Sequence, residues 1–164
     1  VFLDNADTAK ELKAQETPEL KDFKGFYENT KAVATALRNS VPVDKISTNY
    51  LKDNITADLR KHYVVAGQLN DTVKNLLGSE TNELRLSFDN FVKNQAKHPD
   101  INYSLYSKVS RLINNYDKYY FNRGNLIIEK IYQGNNILIA LKTTKNKAEN
   151  YLLSMYMANH NKKQ

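Results

Sequence analysis

The segment that decides the fold class in this sequence is residues 125–156, which read NLIIEKIYQGNNILIALKTTKNKAENYLLSMY. Its apolar positions recur at three- and four-residue spacing, which is typical of one face of an α-helix. The spacing predicts one long helix over 125–156, the longest and most central of the fold, which Gly134 either bends or opens to a close neighbour. The residues that carry the spacing are Ile127, Ile131, Gly134, Leu138, Leu141, Lys145, Ala148, Leu152 and Met155.

The segments before residue 125 show the same helical spacing and few strand signals. The chain has only five Gly and three Pro, and it contains no Asn-Gly or Asp-Gly dipeptide that would indicate a tight hairpin. Thr17-Pro18-Glu19 is typical of a helix start, and 39–42 is typical of its end. Capping and breaking residues predict further helices over 44–78, 79–98 and 100–122.

These segments together predict an all-α fold, an antiparallel bundle of four or five long amphipathic helices. The length of 164 residues fits one domain over 1–164, in which we expect 1–16 and 159–164 to be loosely ordered. Leu112 and Leu152 lie in the middle of the apolar stripes, and we expect both to be core residues. Tyr116 and Tyr119 are predicted to point inward as well, with Tyr120 at the margin of the stripe.

Composition limits the classes of function. The chain has no Cys, which excludes disulfides, thiol catalysis and cysteine-ligated metal sites. The longest apolar stretch, 126–141, is interrupted by polar residues and is too short to span a bilayer. The sequence begins at Val1 without a signal-peptide segment. We interpret it either as a secreted or cell-surface protein after processing or as an excised segment of a longer chain, and an intracellular location stays open.

Catalytic and metal-binding patterns are missing from the sequence. It contains no nucleophile beside a base, no glycine-rich phosphate loop and no set of closely spaced metal ligands. Asp58 and His62 lie one helical turn apart, and we interpret them as an exposed pair or as a hydrogen-bonded, half-buried histidine. The sequence therefore predicts a protein that is not an enzyme and that has no catalytic residue, metal or cofactor.

Charge and tyrosine are concentrated in the last third of the chain. Residues 99–164 hold ten Lys/Arg against four Asp/Glu, which accounts for the whole net charge of +6, and eight of the eleven Tyr. Tyrosine rings beside basic residues are common where proteins bind partners, so we predict a surface for an acidic protein partner. The predicted partner-binding residues are Lys108, Arg111, Lys118, Arg123, Tyr103, Tyr106 and Tyr132.

Two other functions fit the same sequence. The apolar surplus at 126–128 and 137–139 is what a bundle would need to carry a lipid or another apolar ligand between its helices. Tyrosines interleaved with Lys and Arg could also stack on single-stranded nucleic acid. The basic residues are spaced out rather than clustered, so nucleic-acid binding is the weakest of the three alternatives.

Overall fold

The structure, a computed structural model, describes residues 18–158, with side chains from Asp22 onward. The helices within this range are α1 (Pro18–Ser40), α2 (Thr48–Asn54), α3 (Ala57–Lys61), α4 (Asp71–Leu77), α5 (Phe88–Lys97), α6 (Tyr103–Ser107) and α7 (Val109–Asn114), with a 3-10 turn at Val43–Lys45. The strands are β1 (Tyr63–Gln68), β2 (Glu83–Ser87), β3 (Lys118–Asn122), β4 (Asn125–Tyr132), β5 (Asn135–Thr143) and β6 (Asn150–Met157).

The six strands form one sheet in the order β1-β2-β6-β5-β4-β3. Strands β3 to β6 are consecutive antiparallel neighbours, and β1 pairs antiparallel with β2. The parallel contact between β2 and β6 is short, since it joins only Leu84 to Asn150 and Arg85 to Tyr151. The two strands at the sheet edges are therefore β1 and β3.

One face of this sheet is covered by helices and the other is half-exposed. Leu126 and Ile128 of β4 are fully buried in a core with helix residues such as Phe91 of α5 and Leu112 of α7. Ile127, which lies between them on β4, is only half-buried. This alternation is the pattern of a sheet that packs on one side, where every second side chain points away from the core.

The prediction of an all-α bundle is wrong: the described residues form a mixed α/β fold with a six-stranded sheet. The predicted long helix over 125–156 is three strands, β4, β5 and most of β6. Arg123 and Gly124 both have positive φ, and so do Gln133 and Gly134, which is the pattern of two-residue hairpin turns. The two glycines lie ten residues apart, the length of β4 plus one such turn.

The predicted helices over 44–78 and 79–98 are also wrong in their first parts. The first breaks into the 3-10 turn, α2, α3, strand β1 and α4, and the second begins with strand β2. The predicted ends are confirmed: Gly78 caps α4 in the left-handed conformation, and His98 caps α5. The predicted helix over 100–122 is α6 and α7 followed by strand β3.

The helix that was predicted to start at Pro18 is confirmed as α1. Phe23, Tyr27, Thr30 and Ala34 on its predicted inward face are buried. The core positions Leu112 and Leu152 are buried too, although Leu152 lies in a strand rather than in a helix. None of the helices within residues 18–158 combines the length and hydropathy that a bilayer-crossing segment needs.

Candidate interaction surface

Strand β3 is a sheet edge without a cover among the described residues, and all five of its residues are exposed. Three consecutive aromatic side chains lie on it. Tyr119 is 41% exposed, Tyr120 43% and Phe121 57%. These three residues are called the β3 edge patch below. Among the side chains described, those of residues 22–158, the exposed large apolar ones number six, and Ile131 at the base of the same hairpin is a fourth one in this region.

The hairpin that presents the β3 edge patch is fixed at both ends. At its tip, Arg123 and Gly124 form the two-residue turn into β4. At its base, the Asp117 N–H donates to the Glu129 carbonyl at 2.9 Å, and Asp117 Oδ2 accepts from the Ile131 N–H at 2.7 Å. The edge is therefore a formed strand in one register, rather than a loop that could reach several conformations.

The hairpin register shows which backbone groups of β3 face outward. Asn122 and Asn125 flank the two-residue turn, and such a flanking pair exchanges both of its backbone hydrogen bonds. The ladder then alternates, so that Tyr120 bonds to β4. The N–H and C=O groups of Tyr119 and Phe121 point away from the sheet, where another strand could pair with them.

The rings of the β3 edge patch continue toward the helices. The ring of Tyr119 lies 5.5 Å from that of half-buried Tyr116 and 6.3 Å from that of Phe121, both nearly perpendicular. Edge-to-face contacts of this kind orient aromatic rings. Tyr116, which was predicted to point inward, is half-buried against the core. The same prediction is wrong for Tyr119, which is exposed, and Phe121 was not singled out by sequence reasoning.

Two of the predicted partner-binding residues flank the β3 edge patch. Lys118 begins the strand and Arg123 follows its last residue, and both are exposed. Acidic groups lie close by, because Lys118 is paired across the strands with Glu129, and Asp117 lies 3.7 Å from the Lys130 ammonium. The local charge is therefore mixed, in contrast to the net positive charge of the last third.

The other predicted residues lie elsewhere. Lys108 and Tyr132 line a small polar pocket of about 220 Å³ between α6 and the β4–β5 turn, and Arg111 is exposed on α7. Tyr103 is half-buried against the Phe23 and Tyr27 rings of α1. The predicted set thus does not form one surface.

Tyr106 has to be corrected as a partner-binding residue, because it is fully buried. Its ring packs on Phe91 at 4.6 Å, and its hydroxyl accepts a hydrogen bond from the Asn94 amide. Burial raises the pKa of this phenol far above its usual range. Tyr106 is therefore a neutral core residue beyond the reach of a partner.

An open groove of about 1060 Å³ lies between α1, α3 and β1. Phe26, Leu59 and Phe88 contribute apolar surface to it, and Asp58 and His62 lie among its polar groups. His62 caps α3 and is exposed, with its ring 5.5 Å from Phe26. No group of three or more metal-ligating side chains occurs in the described part of the chain.

A polar cluster on the half-exposed sheet face ties β1, β2 and β6 together. Arg85 bonds to Glu83 at 2.8 Å, lies 3.4 Å from Glu149, and stacks over the Tyr63 ring at 4.2 Å. Burial acts to lower the pKa of Arg85, but hydrogen bonds to Glu83 and Tyr151 outweigh it and raise that pKa. Burial and a hydrogen bond to Glu149 also raise the pKa of Tyr151. These polar groups are one another's hydrogen-bond and ion-pair partners, which is typical of a cluster that holds neighbouring strands together.

Comparison of the chain with protein families, with curated proteins and with solved structures gave no match.

Proposed function

We propose that this chain is a non-catalytic interaction module that binds a protein partner by accepting an extended segment of it as a seventh strand beside β3. The observation that carries the proposal is the β3 edge patch, a formed edge strand with three consecutive exposed aromatic residues. Proteins usually protect such edges with charge, proline, bulges or a covering helix. An edge that is left aromatic and open is a surface prepared for a partner.

Strand addition uses both kinds of group that this edge presents. The outward N–H and C=O groups of Tyr119 and Phe121 supply main-chain hydrogen bonds, and the rings supply apolar area and selectivity. Tyrosine suits such a surface, because its ring is buried in the complex while its hydroxyl keeps a polar partner. Because the local charge is mixed, the edge selects a partner more by hydrogen bonding and shape than by net acidity. An extracytoplasmic location stays a prediction of the sequence.

A second candidate is the carriage of an apolar ligand. It was predicted for a bundle interior, which this fold does not have, so within residues 18–158 the groove beside α1 is the place that could serve. Its floor of Phe26, Leu59 and Phe88 supports the candidate. Native mass spectrometry of the purified protein tests it: a retained small molecule lost on Leu59→Asp, at a lining residue that is 41% exposed, supports carriage, and a bare chain contradicts it.

Site-specific photo-cross-linking tests strand docking in the cells that make the protein. A photoreactive residue replaces Tyr120 of β3 or, as the control, Tyr63 of β1, since the two tyrosines are similarly exposed, at 43% and 38%, on opposite sheet edges. We expect position 120 to give one discrete product that maps to an extended segment of a protein, and position 63 to give none.

A proline variant shows whether the cross-link depends on strand pairing. Phe121→Pro removes an outward N–H that β4 does not use, and proline is tolerated on an edge strand when its missing donor faces out. We expect this variant to fold and to lose the product at position 120. No product at 120, the same product at 63, or a product that survives Phe121→Pro would each overturn the proposal.

A further inference from the structure

We propose that the strand added to β3 is β3 of a second copy of this chain, antiparallel to the first about a two-fold axis through Tyr120. This inference rests on the proposed function and names its partner. The result would be a continuous sheet of twelve strands across two copies, with the same surface used on both sides. Two-fold pairs with such self-complementary surfaces are the commonest oligomers.

Only some registers satisfy the outward backbone groups. An axis between two residues would place an outward residue of one copy opposite an inward residue of the other, so the axis has to pass through a residue. An axis through Tyr120 places Tyr119 opposite Phe121 of the second copy, and these are the two residues with outward N–H and C=O groups. Their four hydrogen bonds then form in two pairs, and each tyrosine ring lies beside a phenylalanine ring.

Charge favours this register over its neighbours. With the axis through Tyr120, Lys118 lies opposite the neutral Asn122, and at the ends of the strands Asp117 lies beside Arg123 of the second copy. All four are exposed. Moving the axis to Tyr119 would place Asp117 opposite Phe121, and moving it to Phe121 would separate Asp117 from Arg123. The register through Tyr120 is the one of the three that pairs opposite charges, and it does so twice.

The absence of cysteine from the chain allows a direct test with single-cysteine variants. Residues at the axis form a non-hydrogen-bonded pair, whose Cα atoms lie roughly 4.5 Å apart, within the range that a disulfide spans. We therefore expect purified Tyr120→Cys to oxidise rapidly to a disulfide-linked dimer at concentrations where the unaltered protein sediments as twice the monomer mass.

Two variants on the same side of the same strand provide the control. The two copies of residue 118 are offset by four residues, or about 13 Å, so Lys118→Cys alone should link poorly. The same holds for Asn122→Cys alone. A mixture of the two should link efficiently, because residue 118 of one copy faces residue 122 of the other. Equal linking by all single variants would indicate random collision and would overturn the register.

The charge pair has its own test. Arg123→Asp places two carboxylates at each end of the shared ladder, and we expect the dissociation constant to rise about tenfold, whereas Arg123→Lys should change it little. The Asp variant also lowers the net charge from +6 to +4, which by itself would favour association. Weaker association can therefore come only from the local pairing, and unchanged or tighter association would overturn it.

The outcome also separates this inference from the proposed function. If the unaltered protein is monomeric and Tyr120→Cys fails to link, while the photo-cross-link at position 120 maps to a different protein, the second-copy inference is wrong and strand docking stands. If neither cross-link forms, both are wrong. A disulfide-linked Tyr120→Cys dimer together with a photo-cross-link to the same chain supports both.

Discussion

The two edges of the sheet differ in how their backbone is protected. At the β1 edge, helices α1 and α7 pack against the strand, and the register shifts between Val65 and Gly67, as in a bulge. Gly67 lies so close to α7 that a Cβ on it would meet Ser110 Cβ at 2.5 Å. At the β3 edge, no described helix covers the strand, and all five residues are exposed.

An internal edge of the same sheet is protected as well. Strand β6 loses its neighbour where β2 turns into α5, and the Asn94 side chain of α5 takes that place. Its amide donates to the Met155 carbonyl at 2.9 Å, and the Met155 N–H donates to Asn94 Oδ1 at 3.0 Å. At β6, a side chain therefore satisfies the backbone groups that no neighbouring strand pairs with. The outward backbone groups of β3 have no such partner among the described residues.

The largest expected effect concerns the covered side. Leu112 of α7 is buried among helices and sheet, so Leu112→Ala removes apolar contacts and leaves a cavity. We expect a loss of about 2–5 kcal/mol in the free energy of unfolding, measured by urea denaturation. Ile131→Ala is the matched control beside the open edge, since Ile131 is 63% exposed, and should cost less than about 0.5 kcal/mol. Similar costs for the two variants would contradict the difference between the edges.

The internal edge of β6 gives the next effect. Asn94→Ala leaves the Met155 backbone groups without a partner in a buried place, and we expect a loss of about 1–3 kcal/mol. Lys93→Ala on the same helix serves as the control, because the Lys93 ammonium donates to the exposed Thr48 hydroxyl and not to buried strand backbone. A loss below about 0.5 kcal/mol for the Asn94 variant would show that the β6 edge does not need this side chain.

Proline substitution in β3 gives a smaller effect and tests which groups face outward. Tyr120→Pro removes an N–H that bonds to β4, and we expect it to cost about 0.5–1.5 kcal/mol. Phe121→Pro removes an outward N–H and should leave the thermal midpoint nearly unchanged in dilute protein, where no second copy is docked. If the Phe121 variant is the less stable of the two, the assignment of inward and outward groups is wrong.

The smallest expected effect is a pH dependence of the folding stability. It comes from His98 at the end of α5, away from both edges of the sheet. The His98 ring stacks on Tyr156 of β6 at 5.1 Å, and burial, with a smaller contribution from Lys97, lowers its pKa against the opposing effect of Asp100. The folded state therefore favours the neutral ring. The contribution of the neutral His98 ring to folding stability is complete above the ordinary histidine pKa of about 6.5 and is lost as the pH falls below that value.

The control for this pH dependence is His98→Gln, measured by thermal melts between about pH 7.5 and 5. The unaltered protein should lose more stability over this range than the variant. Equal losses would show that another group is responsible for the pH dependence.

The ends of helices in this fold could be predicted from the sequence better than the sheet could. Pro18, Gly78 and the His98-Pro99 pair end or begin helices for reasons of backbone geometry that act within a few residues, and these predictions are confirmed. The sheet depends on pairing between distant segments. Ile127, Ile131 and Leu138 recur at helical spacing by coincidence, while the first residues of β4 alternate between half-buried and fully buried.

The missed signal lies in the two turns. Arg123-Gly124-Asn125 and Gln133-Gly134-Asn135 repeat the same X-Gly-Asn pattern ten residues apart, between runs rich in Ile and Tyr. Two-residue hairpin turns prefer Asn or Asp before Gly, and the Arg and Gln in that position concealed them. The site was predicted only where charge marked it, at Lys118 and Arg123, because exposure of the rings between them depends on β3 being an edge.

Amide hydrogen exchange of β3 shows whether its outward backbone groups are free to accept a strand. We expect the Tyr120 amide to exchange slowly at every protein concentration, since it bonds to β4. The Tyr119 and Phe121 amides should exchange rapidly in dilute protein and become protected as the concentration rises and a second copy docks. Slow exchange at Tyr119 and Phe121 in the most dilute sample would show that these outward groups are not free, and fast exchange at every concentration would show that no second copy docks on β3.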